Sequence, residues 1–230
     1  MADGFTTLST SARIDAAVAA HAMLSHKFYQ AWTEGKLTRD VLRAYAMQYF
    51  HHVEAFPQAV SATHANCPDR DGRRLLAENL AEEEGVEAGK TDHATLWLDF
   101  ARAMGADEAA VRAVALNPET TNLIETFRRL SRQSYAAGLG ALYAYETQLP
   151  AVATTKIEGL DKFYGVTDAN AIRFFTVHET ADVAHSAVCR ALLDKLPEAD
   201  RAEAAAAGGE LARALSSFLD GMSRDAGIAC

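Results

Sequence analysis

Between its few prolines and glycines, the chain repeats apolar residues at intervals of three and four and never convincingly at two. That periodicity commits it to helices and leaves no segment that reads as a strand. Start signals and breakers predict helices over residues 11–32, from about 38 past Pro57 to 67, and from about 69 into the acidic run Glu82, Glu83 and Glu84. Further helices follow over 93–104, after Asp107, from Pro118 to about 134, and over 142–163, 168–196 and 198–222. Pro150 falls inside the 142–163 pattern, where it cannot bond the carbonyl of Glu146, so a kink is expected there. No fixed-period repeat, long linker or composition break divides the 230 residues. The expectation is an all-α chain, one domain over 1–230, built as a single bundle of eight or nine helices.

Charge and cysteine content narrow the function classes. With 31 acidic against 22 basic residues the formal charge is −9, which disfavours a broad footprint for nucleic acid or an anionic membrane. Cys67, Cys189 and Cys230 have neither close spacing nor paired motifs, which points to a reducing compartment and away from a cysteine zinc site. No run approaches 18 apolar residues, and the N-terminus MADGFTTLSTSARID lacks the order of a signal peptide. The expected location is the cytoplasm. Glycine-rich phosphate loops, a GxSxG elbow and a basic aromatic platform are all missing from the sequence.

The strongest local signal is His178, Asp182 and His185 in FFTVHETADVAHSAV, since offsets of four and seven place all three on one stripe of a helix. Two satisfied core histidines with a buried aspartate fit this segment as well as metal ligation does. Glu146, in the apolar stretch ALYAYETQLPA, would cost several kcal/mol if ionised and unpaired, so it calls for a buried partner. Three consecutive glutamates span about 200° of a helix, so one of Glu82, Glu83 and Glu84 can face inward while the others face water. A break after them could bring His93 to the same place. Three carboxylates and three imidazoles from three helical regions match the oxygen and nitrogen mixture that iron and manganese use, and would nearly balance two divalent ions.

The segments HKFYQAWTEGKLT, AYAMQYFHHVEAFP, LLAENLAEEEG, HATLWLDFARAMG, ALYAYETQLP, TTKIEGLDKFYG and FFTVHETADVAHS resemble, in order and over roughly residues 25–190, the family of the chlamydial protein associating with death domains. The resemblance implies a haem-oxygenase-like helical fold shared with pyrroloquinoline quinone synthase and the thiaminase-like proteins. It implies two transition-metal ions, Fe/Fe or Fe/Mn, with molecular oxygen and a reductant, and no haem. The implied activity is self-sacrificing synthesis of p-aminobenzoate for folate, once per polypeptide. Carried onto this sequence, the metal ligands would be Glu83, His93, Glu146, His178, Asp182 and His185. The consumed tyrosine would be Tyr29 and the amino donor Lys156. On their own, Tyr29 reads as a core aromatic and Lys156 as a solvated helix lysine.

Two other readings compete. One is a small-molecule oxidase or hydrolase close to pyrroloquinoline quinone synthase or thiaminase, for which six ligands are more than needed. The other is a protein-interaction module, as the family's name suggests; the acidic surface would permit it, but it has no use for buried ligands. The sequence names no death-domain partner, and a homodimer is compatible with it.

Overall fold

The computed structural model describes residues 8–228; Cys230 and the first seven residues of the N-terminal reading lie outside them. Among the described residues are eleven α-helices, one 3-10 turn and no strand. Their order is α1 (Thr10–Ala20), the turn (Met23–Ser25), α2 (Lys27–Thr33), α3 (Arg39–Asn66), α4 (Arg70–Glu83) and α5 (His93–Ala103). Then come α6 (Glu108–Ala113), α7 (Pro118–Gln133), α8 (Tyr135–Glu146), α9 (Leu149–Tyr164), α10 (Ala169–Asp194) and α11 (Glu198–Asp225).

The all-helical fold agrees with the sequence reading, and the additional elements arise where two expected helices are each split. The 11–32 stretch breaks at His21, and the chain restarts at His26, whose Nδ1 accepts from the Phe28 amide at 3.1 Å and so caps α2. The 142–163 stretch breaks at Thr147 and Gln148, because Pro150 lacks the N–H that would bond the Glu146 carbonyl. Pro150 thus lies in the first turn of α9, a position that tolerates proline, instead of kinking a continuous helix. Pro57 does lie inside a continuous α3.

Helix α8 is the centre of the molecule. Every residue from Ala136 to Glu146 is buried, which suits a sequence apolar on all faces. Helices α3, α7, α10 and α11 pack around it. The core is one continuous cluster, with Trp32, Trp97, Tyr29, Tyr45, Tyr49 and Tyr143 among its largest fully buried side chains. Two glycines matter for the site. Gly85, at φ +61°, makes the turn after α4, and a Cβ there would fall 2.4 Å from the Asp92 amide nitrogen. Gly159 lets α9 lie against α2, since a Cβ there would be 2.5 Å from Trp32 Cδ1.

Candidate metal centre and tyrosine–lysine pair

Four helices supply the six sequence-predicted ligands: Glu83 closes α4, His93 opens α5, Glu146 ends α8, and His178, Asp182 and His185 lie along α10. The turn at Gly85 and the Asp92 cap, which accepts from the Thr95 amide at 2.8 Å, bring the end of α4 beside the start of α5. In consequence Glu83 and His93 are 4% and 2% exposed, while Glu84 is exposed. Glu82 is only half-buried, and it is not a bystander facing water: its Oε2 lies 3.1 Å from Nε2 of His185.

One potential ligand atom from each of Glu83, His93 and His178 lies within 4.8 Å of the others. His93 Nδ1 is 2.6 Å from Glu83 Oε2 without hydrogen-bond geometry. His178 donates from Nδ1 to the Phe174 carbonyl at 2.6 Å, which leaves Nε2 as a lone-pair nitrogen. Asp182 and His185 adjoin this set, with Oδ1 and Nδ1 3.6 Å apart. Asp182 Oδ2 and the Nδ1 atoms of His93 and His185 are buried without a hydrogen-bond partner among the described residues. Buried polar atoms ordinarily find one, so this donor set of carboxylate oxygen and imidazole nitrogen fits a metal of the iron or manganese kind.

The charges respond to this crowding. Burial would raise the Glu83 carboxyl, but His93, His178 and His185 outweigh it and hold it below the ordinary range. Burial and then the neighbouring Asp182 push Glu146 up to about 7. Burial would lower His185, but the close carboxylates of Asp182, Glu146 and Glu83 outweigh it and lift it to about 9. Glu146 Oε1 accepts from Asn79 Nδ2 at 2.8 Å, and Oε2 from Cys189 Sγ at 3.2 Å. Burial and the Glu146 charge push the Cys189 thiol up, so that it stays protonated.

The other feature is an aromatic box around Lys156. The reading of this residue as a solvated lysine is overturned: it is 3% exposed. It shares its face of α9 with Val152, Ala153, Gly159 and Leu160, all buried, and that spacing was visible in the sequence. Nζ donates to Tyr45 Oη at 2.7 Å and lies 4.9–6.0 Å from the ring centroids of Tyr29, Trp32, Tyr45, Tyr49, Trp97 and Phe175. Ring faces favour an ammonium by about 2 kcal/mol, less than the several kcal/mol a buried charge without a counter-ion costs. Burial therefore wins and holds the amine well below its ordinary value, which favours the uncharged form with its lone pair.

Tyr29 is fully buried, as a core aromatic should be, and its hydroxyl is 3.2 Å from that of Tyr45. Tyr45 stacks on Tyr49 with centroids 5.6 Å apart, and the Tyr49 hydroxyl is 2.9 Å from that of Tyr145, the neighbour of Glu146. Four phenols thus form a file from Tyr29 toward the carboxylates. Residue-by-residue reading of the sequence missed Tyr45, Tyr49 and Tyr145; the four-residue spacing in AYAMQYF was the available signal.

Fold and donor set together define a metal-dependent oxidative enzyme of haem-oxygenase-like architecture, and residues 43–217 match the family model of iron-containing redox enzymes. The chain belongs to that family, and within it to the group of the 4-aminobenzoate synthases. It is 42% identical over 222 residues to 4-aminobenzoate synthase of Nitrosomonas europaea, covering 91% of this chain and 89% of that one. It is 38% identical over 209 residues to 4-aminobenzoate synthase of Chlamydia muridarum, covering 90% and 87%. Among solved structures, a TenA homologue from Pseudomonas syringae pv. tomato superposes with a TM-score of 0.79 at 19% identity, covering 94% of this chain and 91% of that one. No helix among the described residues is long and apolar enough to cross a membrane.

Proposed function

We propose that this chain makes 4-aminobenzoate by oxidising its own side chains, with Tyr29 supplying the ring and Lys156 the amino nitrogen, once per polypeptide. The observation that carries the reading is the amine of Lys156, buried 5.6 Å from the centroid of the Tyr29 ring. Glu83, His93, Glu146, His178, Asp182 and His185 would hold two transition-metal ions, Fe/Fe or Fe/Mn. When bound, such a pair supplies the means to reduce dioxygen, with an external reductant, and to oxidise a phenol.

The protein's own part is positional. Burial, first of all, keeps Tyr29 protonated at neutral pH, so that its hydroxyl hydrogen is present until an electron is withdrawn. Tyr45 Oη accepts from the Lys156 amine and pairs with the Tyr29 hydroxyl, holding nitrogen donor and ring together. A charged lysine has no lone pair to offer, and burial in the box favours the uncharged form. The file through Tyr49 and Tyr145 offers a short path for electrons between Tyr29 and the carboxylate end. The closed packing around both residues keeps water from the oxidised ring.

The test is growth on ring-labelled tyrosine followed by aerobic reaction of the metal-loaded protein with a reductant. The label should appear in 4-aminobenzoate, at no more than one per chain, and Tyr29→Phe should abolish product while retaining metal. Many turnovers on an added small molecule would sink self-consumption and favour an ordinary oxidase.

A further inference from the structure

The carboxylate of Glu146 is fully buried and accepts hydrogen bonds only from neutral donors, one on each oxygen. Asn79 Nδ2 reaches Oε1 from α4 at 2.8 Å, and Cys189 Sγ reaches Oε2 from α10 at 3.2 Å. Both donors are themselves buried, at 4% and 1% exposure. Each sits one helical turn from a residue read above as a ligand: Asn79 four before Glu83, and Cys189 four after His185. The helices that carry Glu83 and His185 therefore also reach across and grip the carboxylate of a third helix.

The orientation of the Asn79 amide is set by this contact. Turned over, its carbonyl would oppose Oε1, so Nδ2 faces Glu146, and Oδ1 is left buried without a partner among the described residues. An unpaired buried carbonyl costs about 1–3 kcal/mol, and packing alone would be better served by leucine, the residue at positions 75, 76 and 80 of the same helix. A carboxylate has about four lone-pair sites; two donors leave one on each oxygen.

We propose that Asn79 and Cys189 are positioning residues that clamp Glu146 with its remaining lone pairs turned toward a metal ion. The inference rests on reading Glu146 as a ligand. Partners of this kind around metal ligands are commonly worth about 10–100-fold in metal affinity.

Co(II) serves as the probe, because its visible absorption reports coordination independently of turnover. Metal-free full-length protein is titrated with Co(II) against a competing chelator, with thermal unfolding of each metal-free variant as the folding control. Cys189→Ala and Asn79→Leu should each weaken binding about 10-fold or more and alter the visible bands. Cys189→Ser, which keeps a donor, should stay within about threefold of the parent protein. Cys67→Ala, a buried thiol without contact to Glu146, should change neither. Parent-like affinity and spectrum in both Cys189→Ala and Asn79→Leu would overturn the clamp, as would a Ser variant no better than the Ala variant. Glu146→Gln separates the two layers. Unchanged Co(II) binding there removes Glu146 from the ligand set and the inference with it. Weakened binding there, with intact binding in the clamp variants, removes the inference alone.

Discussion

The hydroxyl of Tyr45 bridges Lys156 and Tyr29, 2.7 Å from the amine of one and 3.2 Å from the phenol of the other. Residues far apart in sequence are thereby held in one dry compartment. Tyr45→Phe keeps the ring packing and deletes only the bridge. Loss of a hydrogen bond worth about 1–1.5 kcal/mol should lower the yield of 4-aminobenzoate about tenfold at fixed time, with metal content unchanged. Single-turnover product assays beside metal analysis check this, and an undiminished rate would show that the bridge is incidental.

Lys156 also makes a prediction about stability. Its folded value lies well below the ordinary 10.5, so between the two the unfolded chain binds the extra proton. Stability of the parent protein should therefore rise with pH through that window, by at most about 1.4 kcal/mol per pH unit. Lys156→Met should be more stable at neutral pH and should lose this rise. Urea midpoints from pH 7 to 10 measure it, and parallel curves for the two proteins would contradict a buried amine held below its ordinary value.

The acidic run can be dissected by metal analysis. Glu83→Gln and His93→Ala should lose at least about half the bound metal, Glu84→Gln none, since Glu84 is exposed. Glu82→Gln should fall between them, because His185 hydrogen-bonds Glu82 and such a partner orients a ligating imidazole. Equal losses at Glu83 and Glu84 would invalidate the choice of glutamate.

Gly159 is the steric hinge of the box. In Gly159→Ala the new methyl would meet the Trp32 ring at 2.5 Å, forcing α9 and α2 apart. The expected cost is about 1–3 kcal/mol, read as a lower urea midpoint. Lys156 moves with α9, so product yield should fall too. A parent-like midpoint would mean that Trp32 rotates away freely.

The helical class, most helix starts and the donor residues of the candidate metal site were legible in the sequence because they depend on neighbours within one or two turns. The His178, Asp182 and His185 stripe needs only the pitch of α10, and the pull of Glu146 toward a partner needs only the apolar residues beside it. The breaks at His21 and at Thr147 escaped a reading by periodicity. The chain restarts after the first under the His26 cap, which no apolar spacing marks, and at the second a proline in the first turn of a new helix reads much like one inside a continuous helix. The residues by themselves left Glu82, Glu83 and Glu84 open and only the family resemblance pointed to Glu83; tertiary structure turned Glu83 inward beside His93, through the turn at Gly85 that swings α5 back against α4. It also turned Lys156 inward, gathered six rings from α2, α3, α5 and α10 around its amine, and set Asn79 and Cys189 on Glu146. Sequence periodicity tells which face of a helix is apolar; only packing tells which other helix that face meets, and a buried charge or phenol takes its chemistry from the neighbour it meets there.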